Sequence, residues 1–167
     1  MLSTISIIAN VKIVFASDIT KKVSIESTGT ITYPGPGQIL FSGYIWDVRN
    51  SDLSGPGPNY WSNNTENVWL DENGYLHLKI TYTDGKWVCP EVRTQTLGYG
   101  TYTFYTASNI DALDKNVVLG LFAYKDDSHE VDIEFSRWGI ENYTNAGFTF
   151  NLRLTLQIIT KNCSTLT

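Results

Sequence analysis

The chain has 167 residues, of which 42% are hydrophobic, 13% aromatic and 17% charged, which excludes a disordered chain and leaves room for one real core. A net charge of -5, a sequence pI near 4.9 and only 12 scattered Lys and Arg exclude the clustered cations that phosphate recognition requires, so nucleic acid is excluded as a partner and a neutral or weakly polar one fits better. With 10 Tyr, 7 Phe and 5 Trp, and no long runs of Ala, Leu, Glu and Lys, the composition favours strands over helices.

Residues 1–16 are mostly apolar, and Val14, Phe15 and Ala16 match the small-residue rule for signal cleavage after Ala16. Lys12 interrupts the stretch and no basic segment precedes it, so a first β-strand is the competing reading. The apolar stretch falls short of the roughly 20 residues of a membrane-spanning helix, and nothing later is longer. Three Asn-x-Ser/Thr triplets, at Asn63, Asn142 and Asn162, are compatible with export. Residues 17–40 read as a leader or linker with a first strand, broken by the Pro and Gly cluster at 34–37.

From Phe41 onward, short apolar and aromatic runs are divided by turn dipeptides. Asn73-Gly74 precedes an alternating run over 75–80, and Asp84-Gly85 precedes Lys86, Trp87 and Val88; both are hairpin signals. Further strands are expected over 101–106, 117–124, 130–135 and 148–156, at the spacing of an all-β sandwich or barrel, with helices minor at most. Cys89 and Cys163 have no second Cys or His at ligand spacing, although one bridge between them is compatible with the sequence. His77 and His129 are too far apart for a zinc helix. A protein-held catalytic metal is not expected, and any chemistry falls to carboxylates.

The segment His129-Glu130-Val131-Asp132-Ile133-Glu134-Phe135 alternates charge and apolarity. In a strand, Glu130, Asp132 and Glu134 share one face while Val131, Ile133 and Phe135 face a core. Three like charges in file repel, and a purely structural sheet usually avoids them. Cleavage of a glycosidic bond needs two flanking carboxyls, about 5 to 5.5 Å apart when one of them attacks the sugar. Residues i and i+4 on a strand start about 13 Å apart at Cα, so leaning side chains and sheet curvature must close the gap. The competing reading is a solvated acidic strand face.

The run Glu130-Val131-Asp132-Ile133-Glu134 resembles the E-[ILV]-D-[IV]-E signature of glycoside hydrolase family 16, the laminarinase and lichenase group. Cys89-Pro90-Glu91-Val92-Arg93-Thr94, followed by Gly98-Tyr99-Gly100-Thr101-Tyr102, resembles the family's upstream strand and turn. Asn67-Val68-Trp69 through Leu78-Lys79-Ile80 resembles a third family segment, so the resemblance runs in one order over about residues 41–150. It implies a concanavalin-like jelly-roll β-sandwich and a retaining endo-acting hydrolase of an extracellular β-glucan-type polysaccharide. No cofactor is implied, although a structural calcium that the sequence does not locate is compatible with it.

By the same resemblance Glu130 is the nucleophile, Glu134 the acid and base, and Asp132 tunes both, its hydrogen bond holding Glu130 ionised while nearby negative charge keeps Glu134 protonated. Glu91 and Arg93 resemble positions that contact sugar hydroxyls; a surface ion pair is the alternative. Asn59, Tyr60 and Trp61 resemble a loop covering the sugar sites, where aromatic planes suit pyranose faces. Trp138 is a further candidate for sugar contact, whereas Trp46, Trp69 and Trp87 are expected in the core.

Two departures from the family pattern stand out. Ser128 and His129 occupy positions where lichenase-like members carry an aromatic and an acidic residue, so their narrow specificity does not transfer. Residues 151–167 resemble nothing in the family, and the sandwich reads as incomplete at its C-terminal end, with sheet edges exposed. A lectin-like binding module and an inactive fragment are the rival readings.

Overall fold

The computed structural model describes residues 4–8, 11–17, 35–98 and 102–152. Cys163, residues 99–101 of the upstream turn motif, residues 18–34 of the leader and residues 153–167 of the atypical tail lie outside them. The chain is all-β, as its composition and turn chemistry imply. Fifteen strands follow in order: β1 (Thr4–Ile8), β2 (Val11–Ser17), β3 (Gln38–Phe41), β4 (Tyr44–Val48), β5 (Ser51–Ser54), β6 (Asn59–Trp61), β7 (Val68–Leu70), β8 (Leu76–Leu78), β9 (Thr81–Thr83), β10 (Lys86–Cys89), β11 (Val92–Thr94), β12 (Tyr102–Thr106), β13 (Leu119–Asp126), β14 (His129–Phe135) and β15 (Gly147–Leu152). A three-residue 3₁₀ turn, Ile110–Ala112, is the one helical element among the described residues.

These strands form a seven-stranded sheet, β15-β14-β13-β1-β11-β4-β3, and two four-stranded sheets, β12-β2-β8-β7 and β5-β6-β10-β9. The hairpins form where the turn dipeptides stand. Asp84 and Gly85 both take positive φ (51° and 76°) between β9 and β10, and Gly74 (76°) closes the β7–β8 turn with its N–H on the Asp71 carbonyl at 2.9 Å. Asn67 braces two segments by donating from Nδ2 to the Lys79 carbonyl and to Thr81 Oγ1, both at 2.9 Å. Thr4–Ile8 and Val11–Ser17 form β1 and β2.

The core joins two sheets face to face. Phe41, Trp46, Val92, Leu119 and Leu121 come from the seven-stranded sheet, and Val68, Leu76 and Leu78 from β7 and β8. Period two then fixes the other face of the large sheet: Leu119 and Leu121 point inward, so Gly120, Phe122 and Tyr124 point away, and Trp46 inward leaves Asp47 outward. Ile133 and Phe135 of β14 pack against this core. Beyond them, on the edge strand β15, Phe148 and Phe150 are 58% and 57% exposed, stacked edge-to-face at 4.4 Å.

Trp46 is the keystone, fully buried, with its indole N–H on the Phe41 carbonyl at 3.0 Å. Trp46→Ala is expected to cost about 3–5 kcal/mol, read as a lower denaturant midpoint, because it opens a cavity and removes that hydrogen bond.

Candidate active site

The strand β14 presents its charges as the sequence pattern requires. Glu130, Asp132 and Glu134 lie in register with Tyr124, Phe122 and Gly120 of β13, and with Asn151, Thr149 and Gly147 of β15. All three carboxylates open into one cleft of about 1370 Å³ on the outer face of the seven-stranded sheet. Gly120 faces Glu134 across the β13–β14 pair. None of the six residues opposite the carboxylates is a cation.

That lack of counter-charge has its electrostatic consequence at the middle carboxylate. Asp132 is pushed up to about 6, first by partial burial, then by the negative charges of Glu130 and Glu134, and last by its side-chain hydrogen bond with Glu130. Glu134 is also raised, by partial burial and then by the Glu130 charge. Asn151 Nδ2 donates to Glu130 Oε2 at 3.3 Å. Asp132 therefore holds a proton to well above the ordinary Asp range and lends it to Glu130, while Glu134 stays protonated at a higher pH than an exposed Glu.

The remaining candidate residues divide. Glu91, Arg93, Asn59 and Trp138 line the same cleft as the three carboxylates. Arg93 shares a register row with Asp132, through Ser6 and Phe122, three strands away or about 14 Å at the backbone. Trp138 is 53% exposed and takes φ 51° in a loop held by Ser136 Oγ, which accepts the Trp138 N–H at 3.0 Å. The Arg137 and Gly139 flanks bond the Leu113 and Lys115 carbonyls at 2.7 and 2.8 Å, which aims this indole at the cleft.

Tyr60 and Trp61 are not brought to the carboxylates. Tyr60 lines a separate cleft of about 470 Å³ under Lys86, whose ammonium sits 4.5 Å from its ring centroid. Trp61 is 3% exposed and lies beneath the Arg49 guanidinium at 4.2 Å. The other tryptophans also divide: Trp46 is core, Trp69 stacks on His77 at 4.6 Å, and Trp87 is exposed beside Tyr82.

Sequence reasoning missed Arg49. Glu91 does not pair with Arg93, as the i, i+2 spacing suggests, but with Arg49 Nη1 at 2.6 Å. Asp47 joins the cleft as well, its Oδ1 accepting from Gln38 Nε2 at 2.8 Å. Six carboxylates (Asp47, Glu91, Asp127, Glu130, Asp132, Glu134) thus line the cleft against three cations (Arg49, Arg93, Lys125). Cys89 is buried, its thiol raised by burial and in no disulfide among the described residues, and no group of three or more metal-ligating side chains occurs among them. No helix among the described residues is long and apolar enough to cross a membrane. In comparisons with known proteins, no family model and no curated protein matches this chain.

The raised Asp132 has a stability consequence. Its folded pKa lies above the unfolded value, so the folded state binds more protons between about pH 4 and 6, and stability falls as pH rises through that window. Asp132→Asn keeps a donor for Glu130 and removes the charge. The variant is expected to melt higher than the unaltered chain at pH 7, with the difference shrinking to nothing near pH 4 in thermal scans.

Proposed function

We propose that this chain is a retaining glycoside hydrolase acting on an extracellular β-glucan-type polysaccharide, on a concanavalin-like jelly-roll. The observation that carries the reading is the placement of Glu130, Asp132 and Glu134 in one cleft, with Asp132 displaced upward and hydrogen-bonded to Glu130. Glu130 attacks the anomeric carbon while Glu134 gives its proton to the leaving oxygen; Glu134 then takes a proton from the water that releases the sugar from Glu130. The raised Glu134 suits the acid role, and Asp132 supplies the hydrogen bond that orients the nucleophile.

The excess of carboxylates over cations in the cleft supports a neutral glycan over a sulfated or uronic one, because a polyanion would meet like charge along most of the walls. The exposed Trp138 offers an aromatic plane to a pyranose face. That feature equally suits a lectin-like module that binds without cutting, and assay of reducing ends released from laminarin and lichenan separates the two. Extracellular location is part of the proposal and rests on the apolar start and the Asn-x-Ser/Thr triplets. A mature chain beginning at Ser17 marks residues 1–16 as a signal, whereas a retained N-terminus marks them as the strands β1 and β2.

The two glutamates should fail in different ways. Glu134→Ala is expected to lower hydrolysis of natural glucans by about 10²- to 10⁴-fold while substrates with good leaving groups still react, and added azide gives a glycosyl azide of retained configuration. Glu130→Ala loses the attacking oxygen, and azide in the vacated space gives the inverted product. Asp132→Asn keeps both roles and retains partial activity with a displaced pH optimum. Azide products of one configuration from both glutamate variants, or unchanged hydrolysis in either, contradict these roles.

A further inference from the structure

We propose that Arg49 is a positioning residue that locks the 55–59 loop, one wall of the cleft, onto Glu91 and so fixes how a saccharide lies along the cleft toward β14. The inference rests on reading the cleft as a saccharide site. Arg49 follows β4 directly, and its own N–H donates to the Glu91 carbonyl at 2.9 Å. Its side chain then reaches three further segments. Nη1 donates to Glu91 Oε2 at 2.6 Å, and Nη2 to Ser54 Oγ at 3.0 Å and to the Gly55 carbonyl at 2.7 Å. The guanidinium plane covers the Trp61 ring at 4.2 Å, and the Trp61 indole N–H donates to the Ser54 carbonyl at 3.2 Å.

A planar fork that bonds in two directions while stacking on an aromatic face is what guanidinium supplies and ammonium does not. Glu91 is 4% exposed, so its carboxylate depends on Arg49 for compensation. The loop that Arg49 holds is also braced within itself, since Asn59 Nδ2 donates to the Pro56 carbonyl at 2.8 Å. Gly57, at φ 125°, has no room for a β-carbon against Asn59. The loop is therefore braced within itself and rooted in the short β5–β6 pairing, and its side-chain tie to Glu91 runs through Arg49. A wall ordered before binding spares the ligand that ordering cost, so loosening it weakens saccharide binding and leaves the bond-breaking step at Glu130 and Glu134 intact.

The test compares the unaltered chain with Arg49→Lys and Arg49→Met, with thermal melting beside each. KM and kcat are measured on lichenan. Binding of a β-glucan oligosaccharide is measured by calorimetry in the Glu134→Gln background, where it is not cut. Arg49→Lys keeps the charge opposite Glu91 and is the variant that decides if Arg49→Met does not fold. Loss of the fork is expected to raise KM and weaken oligosaccharide binding by about tenfold, the worth of one charge-assisted hydrogen bond, with kcat within about twofold. Hydrolysis with KM and binding unchanged in Arg49→Lys overturns the positioning role and leaves the catalytic reading standing. Binding that weakens in Arg49→Lys while the unaltered chain never hydrolyses overturns the catalytic reading alone. An unaltered chain that neither binds nor cuts the glucans overturns both.

Discussion

Three carboxylates on one face of one strand repel each other, and the rest of the site follows from how that repulsion is accommodated. The strands beside β14 place Gly, Phe and Tyr on one side and Gly, Thr and Asn on the other, so no neighbour in register neutralises the row. Partial burial first, and then the like charges of Glu130 and Glu134, push Asp132 up to about 6, where it hydrogen-bonds Glu130. A structural sheet gains nothing from such an arrangement, whereas a site that must hold one carboxyl protonated and another ready to attack needs these unequal environments. Ile133 and Phe135, packed on the core, hold the register that keeps the charges outward, since a slip by one residue would turn them inward.

The sandwich serves this face by taking all the apolar load on the other. Trp46, Val92, Leu119 and Leu121 close against β7 and β8, which leaves the outer side of the same strands to Asp47, Arg93, Phe122 and Tyr124. The cleft is then completed by irregular segments, and each is fixed by hydrogen bonds to backbone carbonyls. The loop carrying Trp138 hangs on Arg137 and Gly139, and the 55–59 loop hangs on Arg49. The Trp138 wall is tied by a few hydrogen bonds, the 55–59 wall by Arg49 and the short β5–β6 pairing, and the floor by a full sheet ladder.

What could be read from the sequence was what depends on near neighbours. Alternation along 129–135 put the carboxylates on one face, and Asp84-Gly85 marked a hairpin, because a strand's period and a two-residue turn are local facts. The Glu91–Arg49 pair was not legible, since its partners stand 42 positions apart and the nearer Arg93 offered a plausible local choice. The separation of Tyr60 and Trp61 from the carboxylates was not legible for a related reason. β6 is placed by its parallel pairing with β10, a long-range contact, and there Trp61 is buried while both side chains border the second cleft. The tryptophans divided in the same way, with Trp46 on β4 buried in the core and Trp87 exposed beside a hairpin turn.

The central claim is that a side-chain oxygen of Glu130 becomes covalently bound to the sugar. Incubating the chain with a fluorosugar glucoside that carries an activated leaving group traps such an intermediate, because the fluorine slows its hydrolysis more than its formation. Peptide mapping by mass spectrometry then locates the sugar. The account predicts one label per chain, on Glu130, with Glu134→Gln still labelled and Glu130→Gln unlabelled. A label on Glu134 or Glu91, or steady turnover of natural glucan to products of inverted configuration with no trapped species, would contradict it.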